Sequence, residues 1–157
     1  MKLSVDLQVA CPVVSVPPES DVRYWLTQAY LAGGGNAKRQ CEVAVRVVDE
    51  DESRNLNRQY RQRDRATNVL AFPADVCGLP ESQARPLGDL VICGPLVEQE
   101  AEDQRKSPAG HWGHLLVHGM LHLMGYVHQR PSQAAEMEAV EKRILADRGY
   151  GDPYRAG

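Results

Sequence analysis

Apolar residues alternate with polar or small ones at Leu3, Val5, Leu7 and Val9, which predicts a strand with one buried face. Pro12, Pro17 and Pro18 end that pattern, and Ser20 followed by Asp21 reads as a helix N-cap. Val22, Trp25, Leu26, Ala29 and Tyr30 then recur at helical spacing until Gly33, Gly34 and Gly35 stop the helix. Val43, Val45 and Val47 alternate again. Strand, helix, strand in this order predicts a crossover unit with both strands in one sheet.

The middle of the chain is less regular. Asp51 or Ser53 is placed to cap a short helix with Leu56 and Tyr60 on one face. Val69 to Phe72 predicts a short apolar strand that Pro73 ends, residues 74–86 read as a loop, and Leu87 to Cys93 predicts a further strand. These two strands suit a hairpin with a long loop. From Pro95 the pattern is helical, with Glu98, Glu100, Glu102 and Asp103 expected on a solvated face. Ser107 and Pro108 begin another helix, because proline at the first helical position loses no hydrogen bond. It should run to about Met124 and end at Gly125. Pro131 opens a last helix with Met137, Val140, Ile144 and Leu145 inward and Gly149 beyond its end. The expected fold class is α+β: a small mixed sheet of about four strands packed with helices.

With 157 residues, a single domain over 1–157 is expected. Apolar residues make up 43% and charged residues 25%, which is ordinary globular composition. A formal net charge of −3 argues against a general nucleic-acid binder, so any RNA contact needs a local basic patch. Cys11, Cys41, Cys77 and Cys93 stand singly, which reads as reduced thiols. The opening residues look like a strand rather than a signal peptide. No apolar run approaches the ~20 residues that span a membrane, so a cytoplasmic protein is expected.

All 5 histidines fall between positions 111 and 128. His114, His118 and His122 are spaced four apart and so lie nearly in line on one helical face. Eight residues of helix rise about 12 Å, whereas zinc–nitrogen bonds are about 2.0–2.1 Å, so one ion takes at most two of the three. Gly125 lets the chain reverse just after the helix, which brings His128 back beside the nearer pair, His118 and His122. The spacing H-x-x-x-H-x-x-G-x-x-H agrees with the metzincin pattern at every liganding and turning position. Gly119, however, stands where those peptidases carry their glutamate base. Three neutral imidazoles leave a fourth position open, as in catalytic zinc sites. His114 is a candidate for a supporting role beside the metal, and His111 reads as structural.

A second cluster is basic. Arg54, Arg58, Arg61, Arg63 and Arg65 outnumber the acids Asp51, Glu52 and Asp64 within one segment. The planar guanidinium fork suits phosphate. Arg54, Arg58 and Arg61 share a helical face by spacing, but a solvated helix with local ion pairs has the same pattern.

The stretch from His118 to His128, H-G-M-L-H-L-M-G-Y-V-H, resembles the H-G-x-L-H-L-x-G-Y-D-H signature of the YbeY endoribonucleases, the bacterial rRNA maturation factors. Leu56-Asn57-Arg58-Gln59-Tyr60-Arg61 and Thr67 to Pro73 are similar to the family's L-N-x-x-Y-R and T-[DN]-V-L-S-F-P blocks. Leu87 to Ile92 resembles its L-G-D-I-x-I strand, and Gly149 to Tyr154 its usual ending. The resemblance implies a metal-dependent endoribonuclease of single-stranded RNA, acting at the 3′ end of small-subunit rRNA and in ribosome quality control. It implies one Zn2+ per chain held by His118, His122 and His128, with Arg61 near the metal as a catalytic cation. Arg58, Arg63 and Arg65 are further candidates for RNA contact, and Asp89 for a general base. Implied partners are rRNA, the small ribosomal subunit and ribosome-assembly factors. Val127, Ala66 and Ala71 depart from the usual aspartate, proline and serine. A zinc peptidase and a non-enzymatic, metal-stabilised assembly factor are the rival readings.

Overall fold

The computed structural model describes residues 3–12, 15–75, 78–80, 83–126 and 131–155. The chain order is β1 (Leu3–Val9), α1 (Glu19–Ala32), β2 (Cys41–Val48), α2 (Glu50–Arg61), β3 (Val69–Pro73), β4 (Arg85–Cys93), α3 (Gly94–Asp103), α4 (Pro108–Leu123) and α5 (Pro131–Asp147). The strands form one mixed sheet in the order β1-β2-β4-β3. β1 and β2 run parallel from Leu3↔Cys41 to Val9↔Val47, which is the expected crossover unit. β2 and β4 are also parallel, with a register shift between Glu42 and Val43. β3 returns antiparallel to β4, from Val69↔Ile92 to Pro73↔Gly88, as the edge of a hairpin. The fold is α+β.

Alternation along the strands divides the apolar residues between the two faces of the sheet. Val43, Val45 and Val47 of β2 and Leu90 and Ile92 of β4 join the main core with Trp25, Leu26, Trp112, Leu116 and Met120 of α1 and α4. Val48, Leu70 and Val91 form a smaller cluster, with Leu56 of α2 and Phe72 packed against it. α4 carries more buried residues than any other described helix, from His111 to Leu123.

Several local expectations change. α1 starts two residues early, at Glu19, and its N-cap is Pro18 with no side-chain hydrogen bond; Ser20 and Asp21 lie inside the first turn. The inward face is nonetheless the expected one: Val22, Trp25, Leu26, Ala29 and Tyr30. α2 is capped by Asp49, whose carboxylate accepts from Glu52 N–H at 2.8 Å, rather than by Asp51 or Ser53. Ser53 is buried and turned inward instead, and Tyr60 is exposed. The acidic run of α3 is only half solvated. Glu98 accepts from Ser15 Oγ at 2.8 Å, and Glu100 binds Asn68 and His111. Ser107 caps α4 as expected, accepting from Gly110 N–H. Cys41 and Cys93 are buried free thiols and Cys11 is half-buried; Cys77 lies outside the described residues.

The approach of α4 to the sheet is set at Gly119. A Cβ there would meet Leu90 Cδ2 at 2.9 Å and Val69 Cγ2 at 3.3 Å, and Leu90 is itself fully buried. Gly119→Ala therefore adds a methyl where neighbours cannot retreat, and the strain exceeds the gain in helix propensity. Chemical denaturation should show a loss of about 1–2 kcal/mol. An unchanged or raised midpoint would mean that α4 is not held this close to β4.

Candidate functional site

α4 brings the histidines to two distinct surroundings. His118 and His122 are half-buried and line a cavity of about 570 Å³ with Gly119. The opposite wall is β3, and the rim comes from Tyr60 and Arg61 at the end of α2 and from Thr67 and Asn68. Arg61 and the two histidines therefore share one cavity, although they are far apart in the chain. His111 and His114 line a different, smaller cavity of about 250 Å³ at the start of α4.

The rings of His118 and His122 sit with centroids 4.6 Å apart, and their Nε2 atoms approach to 3.0 Å. On the other side of its ring, His118 Nδ1 lies 2.5 Å from Oε1 of Glu141 on α5. Glu141 is fully buried, and its second oxygen, Oε2, accepts the Tyr154 hydroxyl and lies 3.6 Å from His114 Nε2. An ionised carboxylate only accepts, so His118 must donate its Nδ1–H to Glu141. A neutral His118 then presents the lone pair of Nε2 toward His122 and the cavity.

Glu141 is the electrostatic anchor of this group. Burial works to raise its pKa, but the nearby imidazole of His114 and the hydrogen bonds from His118 and Tyr154 hold it at about 2. It remains a carboxylate throughout the physiological range. Burial pushes His114 below its ordinary value, against the pull of Glu141. Burial and Glu141 together raise the Tyr154 phenol, so it is a donor and stays one.

Donor chemistry in this region suits a transition-metal ion in two arrangements. Among the described residues, His114, His118 and Glu141 offer donor atoms all within 4.8 Å of one another. Within that trio, however, His118 Nδ1 and the Tyr154 hydroxyl already occupy the carboxylate oxygens. The Nε2 atoms of His118 and His122 instead converge on a shared point at the cavity wall. Metal-ligating histidines commonly donate their other N–H to a carboxylate, which is the relation of His118 to Glu141. His128 and Val127 lie outside the described residues. Gly125, at φ +100°, does supply the turn expected after α4.

The basic segment separates into distinct roles. Arg54 forms a two-pronged ion pair with Asp64, at 2.7 and 3.0 Å. Arg58 reaches Asn55 at 3.4 Å, and Arg63 and Arg65 are exposed; none of these lines the Arg61 cavity. Two buried side chains fix the segment's path. Asn57 Nδ2 donates to Arg65 C=O at 2.9 Å, and Ser53 Oγ donates to Thr67 C=O at 2.8 Å. Asp89 is exposed and lies away from the histidine cavity, so it is not placed to serve as its base. His111 is structural in surroundings: it is buried, with Nε2 on Glu100 at 2.9 Å.

Sequence reading missed Glu141, Asn68, Glu100 and Tyr154. For Glu141 a signal existed. It falls four residues after Met137 and three before Ile144, so a carboxylate sits on the apolar face of α5.

The pair of Glu100 with His111 and Asn68 should be visible in acid. Burial raises the Glu100 pKa, but hydrogen bonds from His111 and Asn68 and the charges of His111 and His114 bring it below its usual 4.5. A depressed folded-state pKa gives stability that is complete above the unfolded value and is lost as pH falls through the folded one. The stability gap between wild type and Glu100→Gln should therefore narrow on acidification below about 4.5. Urea unfolding across the acid range checks this, and a gap that widens would contradict it.

Comparison with known proteins identifies the family. The sequence profile of a family described as Endoribonuclease YbeY matches residues 16–149. A protein of that name from Halorhodospira halophila is 54% identical over 142 residues, covering 90% of each chain. Another, from Cellvibrio japonicus, is 46% identical over 153 residues, covering 98% of this chain and 84% of the relative. A solution structure of a Thermotoga maritima protein superposes with a TM-score of 0.55 at 22% identity, covering 98% of this chain and 99% of that one, and supports the fold. The chain belongs to the YbeY endoribonuclease family.

Proposed function

We propose that this protein is a zinc-dependent endoribonuclease of single-stranded RNA. Its work is maturation of rRNA, at the 3′ end of the small-subunit RNA, and ribosome quality control in the cytoplasm. The observation that carries this reading is the single cavity shared by Arg61, His118 and His122. Relatives named as endoribonucleases supply the reaction class. No helix among the described residues is long and apolar enough to cross a membrane.

In this reading His118, His122 and His128 hold one zinc ion per chain. When bound, the ion supplies Lewis acidity toward a phosphoryl oxygen or an attacking oxygen. Glu141 holds the His118 Nδ1 proton and so keeps Nε2 available as a donor. Arg61 places a permanent positive charge on the cavity rim, where it neutralises a phosphate oxygen as charge develops. The scissile phosphate thus lies between α2 and α4, with β3 beneath it. Arg58, Arg63 and Arg65 extend the positive field from the exposed segment beside the rim and engage flanking RNA phosphates. Small ribosomal subunits and assembly factors are the partners that such a substrate implies.

Gly119 disfavours the peptidase reading. The position that carries the metzincin base is pressed against Leu90 and Val69, with no room for a glutamate.

The decisive assay cleaves a labelled single-stranded rRNA fragment with wild type, His118→Ala and Arg61→Ala, with metal content read on each. Wild type should cut, and His118→Ala should lose both metal and activity. Arg61→Ala should keep its metal and lose about 10²–10³-fold in rate, the usual cost of removing a group that stabilises developing charge. Product ends identify the nucleophile: a 2′,3′-cyclic phosphate marks attack by the 2′-hydroxyl, and its absence marks water. A fully metallated wild type that leaves RNA intact would favour the assembly-factor reading.

A further inference from the structure

The chain beyond α5 forms a small, heavily tied turn beside the histidines. Lys106 Nζ donates to Pro153 C=O, and Lys142 Nζ lies 3.7 Å from Asp152 Oδ2. Asp152 Oδ1 accepts from Tyr154 N–H at 2.9 Å, and Arg155 N–H donates to Asp152 C=O at 3.2 Å. Pro153 is buried. These ties deliver the Tyr154 hydroxyl to Glu141 Oε2, while the Tyr154 ring lies edge-on to His114 at 5.1 Å.

Glu141 has two oxygens and two tasks. Oε1 takes the His118 Nδ1–H, and Oε2 is left in a fully buried setting. His114 is 3.6 Å from Oε2, beyond a good hydrogen bond. The Tyr154 hydroxyl is therefore the donor that satisfies Oε2 and stops the carboxylate from rotating away from His118. A carboxylate free to turn toward His114 would release Nδ1 of His118 and let that ring choose the other tautomer, with its proton on Nε2.

We propose that Tyr154 is a positioning residue of the metal site: its hydroxyl locks Glu141 so that His118 keeps Nε2 as a metal donor. The inference rests on the zinc reading above and extends it to a residue outside the ligand set. The C-terminal turn thereby becomes a working part of the site, acting at two removes from the ion. It also accounts for an arrangement that packing alone does not require, since Tyr154 as a whole is 44% exposed while its hydroxyl is directed at a buried carboxylate.

The test is zinc affinity by competition with a chromogenic chelator for wild type, Tyr154→Phe, Glu141→Gln and the double variant. Cobalt(II)-loaded absorption spectra and thermal melts of the metal-free proteins are recorded alongside. Tyr154→Phe should weaken zinc binding by about tenfold, the low end of the range for residues that support a ligand, and should shift the cobalt spectrum. Because the hydroxyl acts through Glu141, Tyr154→Phe should add little to Glu141→Gln. A Tyr154→Phe protein with wild-type affinity and spectrum overturns the proposal, whatever its melting temperature. So does full additivity of the two substitutions, which would mean that Tyr154 acts independently of Glu141. A wild type that binds no zinc overturns the metal reading and this inference with it, so the two failures are told apart by the wild-type titration.

Discussion

A carboxylate with no solvent contact, Glu141, is the constraint around which the site is built. An ionised group in that position is costly unless each oxygen is hydrogen-bonded. Its partners come from two elements: His118 from α4, with His114 of the same helix nearby, and Tyr154 from the turn after α5. Satisfying one buried charge therefore fixes the tautomer of a histidine, the seating of α5 on α4, and the course of the C-terminal turn. The group is tightly bonded and stays ionised, with its pKa held at about 2, so it orients His118 rather than exchanging protons at neutral pH.

α4 serves both the core and the site, and its sequence shows the compromise. Leu116, Met120 and Leu121 are fully buried, whereas His118 and His122 keep partial access to the cavity one helical face away. Gly119 lies between these faces and permits the close approach to β4. The same contact removes the space in which a peptidase of similar spacing would hold its base. Opposite α4, the end of α2 is held by Asn57 and Ser53, which clamp the following segment and set Arg61 at the rim. One wall of the cavity thus supplies imidazoles and the other a fixed positive charge, an arrangement suited to a phosphodiester.

Much of the fold was legible from periodicity. The alternation in β1 and β2 and the spacing in α1 and α5 placed the elements and most inward residues, because burial imposes those periods directly. Caps were read less well. Asp49 displaced Asp51 and Ser53 because β2 ends at Val48 and α2 begins at Glu50, which leaves Asp49 as the one residue between them, and Pro18 starts α1 by its restricted backbone without a side-chain cap. That His118 and His122 share a face followed from spacing, whereas the nearness of Arg61 to them was readable only from family resemblance. Glu141, Glu100 and Tyr154 were not legible, because acids and tyrosines on helices and tails are usually solvated, and only the tertiary contacts show which ones are turned inward. The acidic run of α3 illustrates this: Glu102 and Asp103 are exposed as expected, yet Glu100 in the same run holds both Asn68 and His111.

The central claim is that His118 and His122 point at the ion through Nε2 while Glu141 stands behind them, outside the coordination shell. X-ray absorption at the zinc edge of the loaded protein tests it directly. The account predicts three imidazole nitrogens at about 2.0–2.1 Å, with no protein carboxylate among the ligands and a shell unchanged in Glu141→Gln apart from weaker loading. A shell that contains a carboxylate oxygen and loses it in Glu141→Gln would contradict the account and place the ion instead among His114, His118 and Glu141.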